Sequence, residues 1–94
     1  MIECRETVLI VNKRGLHARA SAKFVNYVSE LPGTVQVTVC KDDTSAAGNS
    51  ILGLMMLGAA KGDSIDIACT GDGAEEALAR LGDLVRDGFG EDKG

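Results

Sequence analysis

The chain has 94 residues, 45% apolar and 26% charged, and its aromatic residues are Phe24, Tyr27 and Phe89 alone. That length supports one domain with one modest core and excludes a deep cleft backed by a separate substrate domain. The formal net charge of −4, the scattered basic residues and the scarcity of aromatic rings argue against a nucleic-acid platform.

Taken in chain order, Arg5–Asn12 ("RETVLIVN") is a β-branched run that predicts a strand. Val8 and Ile10 share one face, and Thr7, Leu9 and Val11 the other, so the strand is expected to be central or covered on both sides. Lys13-Arg14-Gly15 is a polar turn. From Ala18 to Leu31 the period becomes helical, with Ala18, Ala22, Val25 and Val28 on one stripe and Phe24 and Leu31 flanking it. Pro32-Gly33 stops this helix.

Thr34–Cys40 alternates strictly, with Val35, Val37 and Val39 directed inward. Lys41-Asp42-Asp43 is a turn and Thr44–Ala47 a short strand. Gly48-Asn49-Ser50 opens a short apolar helix, "ILGLMMLGA", and Ala60–Asp63 is a loop. Ser64–Thr70 alternates again, with Ile65, Ile67 and Cys69 inward. Asp72 and Glu75 have capping-box spacing before a last helix striped by Ala74, Ala77, Leu78, Leu81, Leu84 and Val85. Gly88 ends that helix, and "FGEDKG" is expected to fray. The order β-α-β-β-α-β-α predicts an α+β fold, an antiparallel sheet with helices packed on one face. One domain over 1–90 with a flexible tail at 91–94 is the expected organisation.

The three cysteines, Cys4, Cys40 and Cys69, match no zinc or redox spacing. With a single histidine beside them, no metal site and no cofactor are expected. They read as reduced, partly buried thiols of a cytoplasmic protein. No signal peptide is visible and no apolar run is long enough for membrane insertion.

That single histidine, His17, stands in "GLHARASA", between the Gly15 turn and the helix beginning at Ala18. The first amides of a helix lack intrahelical acceptors and carry partial positive charge, which suits a phosphoryl group. The backbone N–H groups of Ala18, Arg19 and Ala20 are the candidate phosphate donors. The same field opposes a protonated imidazole and leaves one ring nitrogen free to attack phosphorus. Arg19 adds a planar guanidinium fork. Nucleophile, helix end and guanidinium together form a phosphoryl acceptor, since phosphoryl transfer needs mainly positioning and charge stabilisation. Spacing alone leaves open a plainer reading of His17 as a solvated surface or capping residue.

"GLHAR" resembles the active-site motif of the HPr family, the histidine-containing phosphocarriers of the phosphoenolpyruvate-dependent sugar phosphotransferase system. "NSILGLMMLGAAKGD" resembles that family's second signature, in which a serine opens a short apolar helix. Length and element order also match, so the resemblance spans essentially the whole chain. It implies an open-faced β-sandwich: a four-stranded antiparallel sheet with three helices on one side. It implies that His17 accepts a phosphoryl group from phospho-Enzyme I, on Nδ1, and passes it to a histidine of an Enzyme IIA-type partner, with Arg19 holding the group. Such a protein is a carrier and not a stand-alone enzyme, and Mg2+ belongs to the enzymes that charge it. Ser50 matches the family's regulatory serine, phosphorylated in some lineages by an HPr kinase/phosphorylase. Two departures stand out. Ala20 replaces the proline that commonly follows the arginine, and the chain extends past the last helix. That tail resembles the nitrogen-related branch of the system and puts any role of a C-terminal carboxylate in doubt.

Read from the residues, Ser50 is also a good N-cap. Ile51, Leu52 and Met55, with Met56 beside them, form an apolar helix surface, and Arg14, Ile51, Leu52 and Met55 are the candidate partner-binding residues. A monomer is expected, with no nucleic-acid partner. The alternative is a non-catalytic regulatory or interaction domain that binds partners through this surface, with His17 merely a cap. A self-contained hydrolase fails because no nucleophile, base and acid set is present.

Overall fold

The computed structural model describes residues 3–91. Four strands, β1 (Glu3–Leu9), β2 (Gln36–Lys41), β3 (Thr44–Ala47) and β4 (Ser64–Thr70), form one antiparallel sheet in the order β1-β4-β2-β3. Three α-helices, α1 (Ala18–Ser29), α2 (Ile51–Met56) and α3 (Ala74–Arg86), complete the βαββαβα order. This is the α+β antiparallel sheet with helices on one face that the alternation and the helical stripes predict, and the open-faced sandwich that the family resemblance implies.

Strand alternation explains the core directly. Val37 and Val39 of β2 lie opposite Cys69 and Ile67 of β4, and Val8 of β1 lies opposite Ile65. All six are buried against Phe24, Leu54, Leu81 and Val85. Each fully buried side chain of this size contributes roughly 1.5–3 kcal/mol, so a core built almost without aromatic rings is sufficient. Cys4, Cys40 and Cys69 are free thiols. Burial, with Cys4 beside it, pushes the Cys69 thiol up to about 11.

Three expectations need correction. β1 is an edge strand, not a central one: Leu9 is 50% exposed, and the chain leaves the sheet before Val11 can extend an outer apolar face. In α1 the buried positions are Ala20, Ser21 and Phe24, while Ala18 is exposed. Phe24 is the largest apolar side chain of the helix, and it turns the inward stripe toward itself. At α3 the cap is Gly73, with no side-chain hydrogen bond, so Asp72 and Glu75 form no capping box. Instead the Asp72 carbonyl accepts from Thr34 Oγ1, at 3.1 Å. Glu75 still lies in the first turn, where the helix dipole favours it.

The segment after α3 also departs from the fraying expected of it. Phe89 is 1% exposed and joins the core. Gly88, Phe89 and Gly90 all have positive φ, at 67°, 58° and 74°, which folds the chain sharply back over the domain. Of the tail expected at 91–94, Glu91 is placed, and Asp92, Lys93 and Gly94 lie outside the described residues.

Gly15 fixes the approach of the His17 loop to the segment following α2. Its φ is +64°, and a Cβ there would sit 2.4 Å from the Ala59 carbonyl oxygen. Gly15→Ala is expected to cost about 3 kcal/mol, combining backbone strain with a clash against main chain. Urea unfolding checks this, and an unchanged midpoint would contradict it.

Candidate functional site

The site is built where β1 gives way to α1. Ile10 N–H donates to the Asp63 carbonyl at 2.8 Å, and Gly62 N–H to the Ile10 carbonyl at 2.9 Å, so the chain is held as it leaves the sheet. Asn12, fully buried, closes the next turn by donating from Nδ2 to the Gly15 carbonyl at 2.8 Å. Leu16 N–H then donates to the Ala59 carbonyl at 2.9 Å while its side chain enters the core. Ser21 Oγ donates back to the Leu16 carbonyl at 3.2 Å. His17 is therefore anchored from both sides.

His17 is the N-cap of α1, with φ −74° and ψ −178°. Its carbonyl accepts the first helical bond, from Ser21 N–H at 2.9 Å, but its side chain caps nothing. Ala18, Arg19 and Ala20 occupy the first three helical positions, whose amides have no acceptor within the helix. A ring that leaves those amides unfilled sits beside a ready anion site.

The imidazole is held by a residue that sequence reasoning missed. Its Nε2 lies 2.8 and 3.0 Å from the two carboxylate oxygens of Glu91. Each side chain is 16% exposed. An ionised carboxylate can only accept, so Nε2 carries the proton. In a neutral ring that leaves the lone pair on Nδ1, which makes no hydrogen bond among the described residues. Asn12 Nδ2 also donates to Glu91, at 3.1 Å, and Lys23 Nζ donates to the Phe89 carbonyl at 2.6 Å. Burial alone raises the Glu91 carboxyl. Hydrogen bonds from His17 and Asn12, with the charges of His17 and Lys23, outweigh it and hold the group below the usual carboxylate range.

An open cleft of about 330 Å³ runs along this face, lined by Lys13, Arg14, His17, Arg19, Lys23, Gly90 and Glu91. Basic residues that look scattered in the sequence thus meet around the one histidine. The signal for Lys23 was its helical spacing from Arg19. For Glu91 the only hint was a carboxylate two residues beyond a phenylalanine that the core could take.

The second motif lies on α2, which packs beside α1. Ser50 is its N-cap, and its Oγ accepts from Gly53 N–H at 2.9 Å. Leu54 points into the core, while Ile51, Leu52, Met55 and Met56 are exposed, Leu52 by 68% and Met56 by 73%. The α2 surface and the His17 loop are therefore neighbours, joined through Ala59. No group of metal-ligating side chains occurs among the described residues. No helix among them is long and apolar enough to cross a membrane.

A small sandwich with a histidine at an open helix end, in a cationic cleft, defines the class of histidine phosphocarriers. Residues 4–87 match the family model described as the HPr component phosphorylation site of the phosphotransferase system. The chain is 46% identical to the phosphocarrier protein HPr of Neisseria meningitidis serogroup A, over 93% of this chain and 96% of that one. It is 39% identical to the phosphocarrier protein NPr of Escherichia coli K12, over 94% and 97%. Among solved structures, HPr-C-His from Thermoanaerobacter tengcongensis superposes with a TM-score of 0.85 at 40% identity, covering 98% of this chain and 99% of that one. The chain belongs to the HPr family, and histidine-mediated phosphoryl carriage in the phosphotransferase system is its general function.

The Glu91 contact has a definite pH dependence. Because the folded carboxyl sits below the usual 4.5, its stabilisation is complete above that value and is lost as pH falls through the lowered one. Amide protection at Gly90 and Glu91, relative to the intrinsic exchange rate at each pH, should hold from neutrality down to the ordinary glutamate range and fall only below it. A loss of protection already near pH 6 would contradict this.

Proposed function

We propose that His17 accepts the phosphoryl group from phospho-Enzyme I and yields it to an Enzyme IIA-type protein. The observation that carries the reading is the ring's position at the N-cap, with Nε2 engaged by Glu91 and Nδ1 left open. The Nδ1 lone pair forms the new N–P bond as the donor's bond to phosphorus breaks, and the proton stays on Nε2. The free amides at the start of α1 and the Arg19 guanidinium take the charge of the phosphoryl oxygens. Lys13, Arg14 and Lys23 make the cleft locally positive in an acidic chain, so steering of an anionic donor is local. The partner supplies the other half of the transfer site, so a small domain with an open, shallow cleft suffices.

Ile51, Leu52 and Met55, together with Arg14, form the docking surface in this reading. Ser50 is a regulatory phosphorylation site for a kinase of the HPr kinase/phosphorylase type. A phosphate there places negative charge at the edge of the apolar α2 surface. The protein works in the cytoplasm, where these partners act.

Incubation with phosphoenolpyruvate and Enzyme I should add one phosphate that is lost in acid and is absent from His17→Ala. Arg19→Ala should slow its acquisition roughly 10- to 100-fold, the worth of a charge-assisted hydrogen bond to phosphate. An acid-stable phosphate, or one retained by His17→Ala, would sink the assignment. Ser50→Asp should slow charging of His17 while the far-UV circular dichroism stays unchanged. An unaltered rate would remove the regulatory role from Ser50.

A further inference from the structure

The carrier chemistry uses none of the three thiols, yet the sheet brings two of them face to face. Cys4 and Cys69 are direct cross-strand partners between β1 and β4. Both point to the core side: Cys69 is fully buried, and Cys4 is half-buried and packs against the core from the sheet edge. Cys40 is elsewhere, opposite Ser45 and Asp66. Its neighbour Val39 faces the core, so Cys40 faces the other side of the sheet.

The backbone register sets the geometry of the pair. Ile10 N–H donates to the Asp63 carbonyl, and counting back by twos makes Val8–Ile65, Glu6–Ile67 and Cys4–Cys69 the hydrogen-bonded pairs of the ladder. Such pairs have Cα atoms about 5.5 Å apart, inside the span of about 4.4–6.8 Å that a disulfide bridges. We propose that Cys4 and Cys69 are an oxidative modification site that closes to an intramolecular disulfide when the protein meets a hydroperoxide.

The accessible partner reacts first. The Cys4 thiolate attacks the peroxide, an S–O bond forms as the O–O bond breaks, and Cys4 becomes a sulfenic acid while water or an alcohol leaves. The Cys69 sulfur then attacks the Cys4 sulfur, and the S–S bond forms as water departs. Two electrons pass from the two thiols to the peroxide, and the thiol protons leave with the reduced oxygens. Cross-strand pairs of this kind hold their Cβ atoms wider than an unstrained disulfide prefers, so thiol reductants should reopen the bond readily. The crosslink ties the edge strand to its neighbour at the end of β1 remote from the His17 loop. It leaves the carrier site open.

The full-length protein, treated with hydrogen peroxide and then alkylated without reduction, tests the site by peptide mass spectrometry. The expected product has lost two hydrogens, links the Cys4 and Cys69 peptides, carries alkylated Cys40 and reverts with dithiothreitol. Cys40→Ser should keep the link; Cys4→Ser and Cys69→Ala, each confirmed folded by circular dichroism, should abolish it. If either variant fails to fold, the peptide map of the wild-type protein decides alone. Recovery of Cys4 and Cys69 as unlinked thiols or separate oxidised forms, or a link through Cys40 or between two chains, overturns the proposal.

Discussion

A helix whose first amides are left without acceptors is the constraint on which the site depends. Most helix starts fill that deficit with a hydroxyl or carboxylate at the N-cap. Here the cap is His17, and its ring turns to Glu91 instead of to the amides. An N-cap without a side-chain acceptor costs helix stability, and the surroundings offset it. Leu16 is anchored in the core and on Ala59, Ser21 bonds back to the Leu16 carbonyl, and Ala20 and Phe24 are buried. α1 can begin with an open end because its stability comes from burial, as is usual for short helices in proteins.

Glu91 puts a negative charge into a cleft otherwise lined by four cations, Lys13, Arg14, Arg19 and Lys23. The arrangement separates two jobs on one ring. A carboxylate on Nε2 settles which nitrogen bears the proton, and the cations and free amides are available to a group arriving at the other nitrogen. The geometry is held from a distance: Phe89 seats the last turn in the core, Lys23 ties down its carbonyl, and Asn12 steadies the carboxylate. Phe89 has positive φ without being glycine, so the turn carries backbone strain that its burial offsets.

Much of this was legible in the sequence, and what was not has identifiable causes. Strict alternation in "TVQVTVC" and "SIDIACT" marks β2 and β4, because the two-residue period has no other reading at that length. "GLHAR" places the histidine at the helix start. The edge position of β1 was hidden because Leu9 and Val11 look like a second buried face, yet strand order is a matter of long-range pairing. The stripe of α1 is poorly defined by its sequence because alanines satisfy a helical period on almost any face, whereas one phenylalanine decides it. Glu91 was hidden because a short polar segment reads as frayed unless the two glycines around Phe89 are seen to turn it back. His17 and Glu91 are 74 positions apart, and nothing local announces their contact.

The same reasoning applies to Ser50. Its hydroxyl oxygen accepts the Gly53 amide and so caps a helix of only six residues. Under the proposed phosphorylation, the ester would retain acceptor oxygens at that place and add charge that the helix end tolerates, so capping would survive. What would change is the environment of Ile51, Leu52 and Met55, apolar side chains that already stand in solvent. Burying them against a partner then requires stripping water from an adjacent dianion or pairing it with a cation. The proposed docking surface would in this way lose affinity while the fold beneath it stays the same, because the cap and the exposed apolar face share a helix but use different atoms.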